Sequence, residues 1–353
     1  MSKPGLISDP GAITSEWLNA VLDYAGISAS VTGFEADSIG TGQVGENVRF
    51  KLRGTGDLPA SLVGKFPSPD PVSRQTGITQ LNYKREVHFY NNLQATLNIQ
   101  TPEVLFAEVD QETHDFVIIM EDLAPGRQGD QLAGCDASQA ETAMIELAHL
   151  HGPRWGDDSL VDGEIVTRNS ADGGEMLKAL YDMVTPGFLD RYQSRLTGEE
   201  QEMVSLVGEN LIAYMSQYQG PMTLIHIDYR LDNMMFDGSY PLAVVDWQSI
   251  AYGCAMNDAA YFIGTSLRED ERKSAEEALL RAYHETLRGY DVDCSWETCW
   301  HYYRHFAPAG LIMAVIASMI VGETDRGNDM FMAMAKRSAR MCRDLDTIDV
   351  IRS

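Results

Sequence analysis

The stretch "LIHIDYRLDNMMF", residues 224–236, decides how this chain is read. It supplies His226, Asp228 and Asn233 in the order H-x-D-x-x-x-x-N, and "LAVVDWQ", residues 242–248, places Asp246 thirteen positions after Asn233. Between those two residues, "NMMF", the turn residues "DGSY" and "LAVVDW" carry the pattern of a hairpin. A hairpin brings Asn233 and Asp246 towards one point, where two oxygen donors suit a hard cation such as Mg2+. Asp228 is then the carboxylate that accepts the hydrogen of an attacking hydroxyl, as in phosphoryl transfer from ATP. Taken alone, the pattern is equally a polar turn, so the rest of the chain has to decide.

A second stretch, "SIGTGQVGENVRFKL" at residues 38–52, contains G-x-G-x-x-G at Gly40, Gly42 and Gly45. A dinucleotide fingerprint requires a helix after the glycines. Here Val48, Phe50 and Leu52 alternate with polar residues, which is a strand period. A strand–glycine loop–strand hairpin is instead the form that covers ATP phosphates in kinases, with a lysine on the following strand. "SLVGK" ends at Lys65, and "YKREVHFY" on the next helix offers Glu86 as its partner. Each residue alone is unremarkable on a surface; the set in this order is not. Lys51 falls one strand too early to compete with Lys65.

The remaining texture fits a sheet-rich first third and a helical remainder. "SVTGFEADSIG", "ENVRFKL", "ASLVGKF", "TPEVLFAEVD" and "DFVIIMEDL" read as strands, with one helix across "TQLNYKREVHFYNNLQ". After "APGRQGDQLAGCD" a helix opens at Ser138 with Glu141 three residues on, a capping-box pattern. The chain then reads as helical to its end apart from 223–250, giving an α+β chain of two lobes, 1–123 and 124–353.

Lys and Arg number 27 against 52 Asp and Glu, a formal charge of −25 over 353 residues, which disfavours nucleic acid and anionic membrane partners. The five cysteines form no C-x-x-C pair and suit a reducing compartment. No signal-peptide pattern opens the sequence, and "FAPAGLIMAVIASMIVG", 306–322, contains Pro308 and reads as a buried core helix. The expected location is cytoplasmic. His149, His151, Trp155, Trp247, Trp300 and the methionines Met330, Met332 and Met334 read as structural, and Asp232 as a solvated or capping residue.

With these residues in view, the chain resembles the aminoglycoside phosphotransferase and choline kinase superfamily. "VIIMEDL", "MIELAHLHGPRW", "DYRLDNMMF" and "VVDWQSIAYGCAMND" are most similar to its ecdysteroid-kinase-like branch and bacterial relatives. The resemblance runs from about residue 35 to 270. It implies a bilobal protein-kinase-like fold that transfers the γ-phosphate of ATP, with Mg2+, to a hydroxyl of a small molecule. It also implies a hinge at Met120, Glu121 and Leu123 that binds adenine through its backbone, and Asp258 as a buried brace of the catalytic loop. Two departures stand out. Ile227 replaces the glycine usual between His and Asp, and Asp246 is followed by Trp-Gln with no activation segment, which speaks against a protein substrate. An apolar or sterol-like alcohol or catabolic intermediate, an antibiotic acceptor, and a catalytically inactive nucleotide or ligand sensor all remain open. The segments that would shape the acceptor pocket, 156–220 and 290–345, carry no readable motif.

Overall fold

The computed structural model describes residues 2–40, 44–169 and 173–353. The chain forms two compact units, one of Met1–Ala95, Thr101–Gly126 and Val245–Ser249, the other of Thr96–Gln100, Arg127–Val244 and Ile250–Ser353.

The first unit is built on α1 (Ser15–Tyr24) and the strands β1 (Ala29–Ile39), β2 (Gly45–Gly56), β3 (Ser61–Pro67), β4 (Val104–Val109) and β5 (Phe116–Glu121). The strands form one antiparallel sheet in the order β1-β2-β3-β5-β4. Val48 and Phe50 on β2 are buried, as their alternation requires. The unbroken apolar run of β5 is buried along Phe116–Met120 because the strand lies inside the sheet, between β3 and β4. Trp17, Leu18, Val21 and Leu22 of α1 close one core with Val48, Phe50, Leu62, Phe66, Phe106, Val117 and Ile119. The Thr14 hydroxyl caps α1 by accepting from the Trp17 N–H at 3.2 Å.

The helix expected across 79–94 is broken. α2 (Pro71–Thr79) stops, Leu81 takes φ 57°, and α3 (Asn82–His88) begins there and runs into a π-helical turn at Phe89–Leu93. Leu81 looked like an apolar helix position, but it is the left-handed joint between two short helices. Tyr83 of α3 stacks on Phe116 at 4.5 Å between ring centroids.

The second unit contains β6 (Arg127–Gln128), α4 (Ala137–His151), α5 (Gly174–Tyr192), α6 (Gly198–Ser216), β7 (Thr223–Ile225), β8 (Met234–Phe236), β9 (Leu242–Val244) and β10 (Ala251–Gly253). It continues through α7 (Ala255–Ser266), α8 (Glu269–Arg288), α9 (Trp296–Phe306), α10 (Ala309–Ile320), α11 (Asp325–Asp344) and α12 (Thr347–Arg352). The expected hairpin is β8 paired with β9, extended by β6, while β7 pairs with β10 just beyond the stretch expected to hold strands. The capping box of α4 lies two residues earlier than expected. Asp136, not Ser138, accepts from the Gln139 N–H at 2.9 Å, because an aspartate is an equally good cap and the turn preceding it ends there.

The apolar run at 306–322 forms α10, with Pro308 as its N-cap, packed against α5 and α11. By length and composition Trp296–Ile320 could cross a membrane, but 72% of its apolar window is buried inside the protein.

The rings of Phe66 on β3 and Phe50 on β2 crowd Gly64, where a Cβ would lie 2.6 Å and 2.8 Å from them. Gly64→Ala is therefore expected to destabilise the first unit by about 1–3 kcal/mol through overpacking. Urea unfolding should show a lower midpoint, and an unchanged midpoint would contradict this packing.

Candidate active site

The first unit gathers three of the expected residues. Lys65, next to last but one on β3, is 9% exposed, and its Nζ lies 2.8 Å from Oε1 and 2.6 Å from Oε2 of Glu86, itself 1% exposed on α3. The same Nζ donates to Oδ1 of Asp246 at 2.7 Å. Asp246 lies two residues beyond β9 with φ 68°, a left-handed turn that a non-glycine residue adopts only when its surroundings hold it there. Trp247 supplies part of that hold, stacked on Phe89 at 3.9 Å and 3° between ring planes.

One ammonium thus faces two carboxylates in a dry setting. Burial pulls Lys65 down, but Asp246 and Glu86 outweigh it and keep its ammonium well above the ordinary lysine range. Burial pushes the Glu86 carboxyl up, Lys65 pulls it back and Asp246 pushes again, leaving it at about 7. The two directions agree physically: the lysine stays charged, and the second carboxylate is the one in excess.

Gly40 has φ +73°, Ile39 pairs with Asn47, and Gly45 opens β2 with room for a Cβ only 3.1 Å from the Phe66 carbonyl oxygen and 3.5 Å from Lys65 Cε. Gly42 lies outside the described residues. Met120 and Leu123 are buried, and Asp122 between Glu121 and Leu123 is gripped by Arg49 (2.6 and 3.0 Å) and the Ser61 hydroxyl (2.6 Å). In this segment the Glu121 N–H donates to the Glu103 carbonyl, and the Leu123 carbonyl accepts from the Gly126 N–H, at 2.8 Å each.

The second unit holds the H-x-D-x-x-x-x-N loop between β7 and β8. Asp258, in the first turn of α7, is fully buried and accepts the backbone N–H of His226 at 2.6 Å and of Ile227 at 2.9 Å. His151 on α4 approaches the same carboxylate at 3.4 Å and is itself tied to the Tyr283 hydroxyl at 2.9 Å. Ile227 takes φ 70°, a conformation that a β-branched residue adopts at a cost of roughly 1–2 kcal/mol. The hydrogen bond from its N–H to Asp258 holds it there.

The chain leaves this turn with Asp228 tightly held. Oδ1 accepts from the Tyr261 hydroxyl at 2.7 Å, Oδ2 from the Asn233 amide at 2.9 Å, and Arg230 Nε lies 2.9 Å from Oδ1 and 3.1 Å from Oδ2. Asn233 sends its amide nitrogen to Asp228, so its amide oxygen, which accepts no hydrogen bond from the described residues, is the group left for a cation.

Among the described residues no group of three or more His, Cys, Asp or Glu side chains could hold a metal ion. The Asn233 amide oxygen and the Asp246 carboxylate are each of a donor type that suits a hard cation such as Mg2+.

The sequence reading missed Arg230, Tyr261 and Asp232. Arg230 stands in the open between Asp228 and Asn233, and Tyr261 lies three residues after Asp258, on the same face of α7. Asp232 was read as solvated or capping. Its side chain is instead largely buried, accepting from Arg230 Nη1 at 3.1 Å, the Gln131 N–H at 3.1 Å and Arg326 at 3.3 Å. Lys51 is exposed and pairs with Asp37 at 2.8 Å.

Against this geometry, a model of the ecdysteroid kinase-like family matches residues 48–291. The chain belongs to the ecdysteroid kinase-like family. The matched span includes Lys65, Glu86, Asp228, Asn233, Asp246 and Asp258, and begins after Gly45. No curated protein matches the sequence significantly.

Among solved structures, the chain is similar to a proposed aminoglycoside phosphotransferase from Ralstonia eutropha JMP134, at 15% identity and TM-score 0.54 over 94% of this chain and 98% of that one. It is similar to the GDP complex of an aminoglycoside 2'-phosphotransferase-IIIa variant at 13% identity and TM-score 0.55, over 92% and 98%. A macrolide 2'-phosphotransferase from Brachybacterium faecium gives 14% identity and TM-score 0.50, over 90% and 98%. At these identities the likeness concerns the fold. This ecdysteroid kinase-like protein has the α+β, kinase-like fold of small-molecule phosphotransferases.

Two outcomes follow from these contacts. Asp258→Ala strands two buried N–H donors and releases Ile227, which should cost roughly 2–6 kcal/mol at about 1–3 kcal/mol per unsatisfied group. A melting temperature within a degree of wild type would contradict the bracing role. Glu86 has its folded value, about 7, above its ordinary 4.5, so the stability it contributes is complete below about 4.5 and lost as pH rises through about 7. Wild type should therefore lose melting temperature between pH 5 and 8 more steeply than Glu86→Gln. Parallel curves would show that Glu86 does not titrate there.

Proposed function

We propose that this protein transfers the γ-phosphate of ATP to a hydroxyl of a small molecule, in a reaction that requires Mg2+. The observation that carries the reading is the buried Lys65 ammonium held by Glu86 and Asp246. A cation fixed in this way, on the strand after a glycine hairpin, is suited to neutralise the phosphates of a nucleotide. In this reading Gly40, Gly42 and Gly45 bring backbone close to the phosphates. Met120, Glu121 and Leu123 form the hinge against adenine between lobes 1–123 and 124–353. Asn233 and Asp246 hold the metal, which supplies charge neutralisation at the phosphates. Asp228 orients the acceptor hydroxyl and takes its proton, a contribution of about 10²–10⁴ in rate. The rest of the acceleration comes from positioning and charge.

The acceptor is proposed to be an apolar alcohol. The charged groups linked to Asp228 through hydrogen bonds are Arg230, Asp232 and Arg326, so two cations balance two carboxylates and no negative surplus awaits a polycation. The five cysteines are free thiols, which suits a cytoplasmic setting.

The test incubates wild type and Asp228→Ala with Mg·ATP and a fractionated cytosolic metabolite extract, followed by mass spectrometry of new phosphorylated species. Products formed by wild type and reduced at least a hundredfold in the variant are expected. Phosphorylation confined to added aminoglycosides would overturn the apolar acceptor. No product, with Mg·ATP still raising the melting temperature of both proteins, would favour a nucleotide sensor.

A further inference from the structure

The catalytic loop contains a buried cation that the reading above leaves without a task. Arg230 side chain is 16% exposed, and its five N–H donors are unevenly used. Nε goes to Asp228, and Nη1 goes to Asp232 at 3.1 Å and lies 2.9 Å from the Met330 sulfur, a weak acceptor. Nη2 makes no hydrogen bond to any described residue. It is not among the sealed, unsatisfied polar atoms of the interior, so its two N–H groups are reachable by solvent.

Holding Asp228 in place does not explain this side chain. Tyr261 already fixes Oδ1 and Asn233 already fixes Oδ2. A guanidinium anchored on Asp228 through Nε, with Nη2 bonded to no described residue, has donors left for a further acceptor. Against the downward pull of burial, Asp228, Tyr261 and Asp232 keep the guanidinium firmly charged.

We infer that Arg230 is a further catalytic residue, whose Nη2 takes an equatorial oxygen of the phosphoryl group in transfer while Nε stays on Asp228. The inference rests on the phosphoryl-transfer reading. In that step the acceptor oxygen forms a bond to the γ-phosphorus, and the bond to the β-phosphate bridging oxygen breaks with its electron pair remaining on ADP. The hydroxyl proton passes to Asp228. Arg230 exchanges no proton; it balances charge that spreads over the equatorial oxygens in a loose transition state. A planar, permanently charged fork suits those oxygens better than an ammonium does.

The experiment measures ADP affinity with MgCl2 by calorimetry, with and without aluminium fluoride, which mimics the phosphoryl group between donor and acceptor. Wild type, Arg230→Gln and Arg230→Lys are compared, with circular dichroism confirming that each is folded. Fluoride should tighten ADP binding to wild type at least tenfold, and both variants should lose most of that gain while binding Mg·ADP within about twofold of wild type. In turnover, kcat should fall by about 10²–10³ in Arg230→Gln with the KM for ATP little changed. A full fluoride gain in both folded variants, or none in wild type, overturns the inference. Failure of wild type to bind Mg·ADP at all is a different result: it sinks the nucleotide reading itself and the inference with it.

Discussion

A single buried carboxylate organises the H-x-D-x-x-x-x-N loop. Asp258 accepts the consecutive backbone N–H groups of His226 and Ile227, and in doing so fixes a turn that Ile227 would not choose. A fully buried carboxylate is tolerated only when its oxygens are met by donors. Here the donors are main chain from the loop and the imidazole of His151, which is held in turn by Tyr283. Everything downstream follows from that turn: Asp228 emerges beside Tyr261, one helical turn along α7 from Asp258, and Asn233 folds back to grip its second oxygen.

The first unit solves a different problem with related means. Lys65 is kept charged in a dry place by two carboxylates, one from α3 and one from the segment after β9. One ammonium cannot neutralise both carboxylates, so the cluster carries a negative surplus that a cation would offset. The left-handed backbone at Asp246 and the packing of Trp247 on Phe89 hold the second carboxylate in reach. The acidity of the whole chain, with a formal charge of −25, adds no specificity to this arrangement.

Much of this was legible because the chemistry limits the choice of residue. Strand alternation at Val48, Phe50 and Leu52 excluded a helix after the glycines and so pointed to a hairpin, and the order of Lys65, Glu86, Asp228, Asn233 and Asp246 narrowed the reaction class. What stayed hidden was set by tertiary contact or by backbone angles that no residue type announces. Leu81 carries an apolar side chain but joins two helices through a left-handed turn. Asp136 took the capping role expected of Ser138, since either residue type can serve. Asp232 looked solvated until Arg230, Arg326 and the Gln131 N–H closed around it. Arg230 itself was visible as a letter, but its hold on Asp228 is a matter of geometry.

Under the proposed function, Lys65 is the cation that receives the nucleotide. The most direct measurement is calorimetric titration of ATP, with and without Mg2+, into wild type and Lys65→Met, a change that keeps an unbranched stem and removes the charge. Wild type should bind Mg·ATP more tightly than ATP alone, and the variant should lose at least about tenfold in affinity, equivalent to ~1.4 kcal/mol. Equal affinity in the two proteins would contradict the account, and so would a wild type that binds no nucleotide.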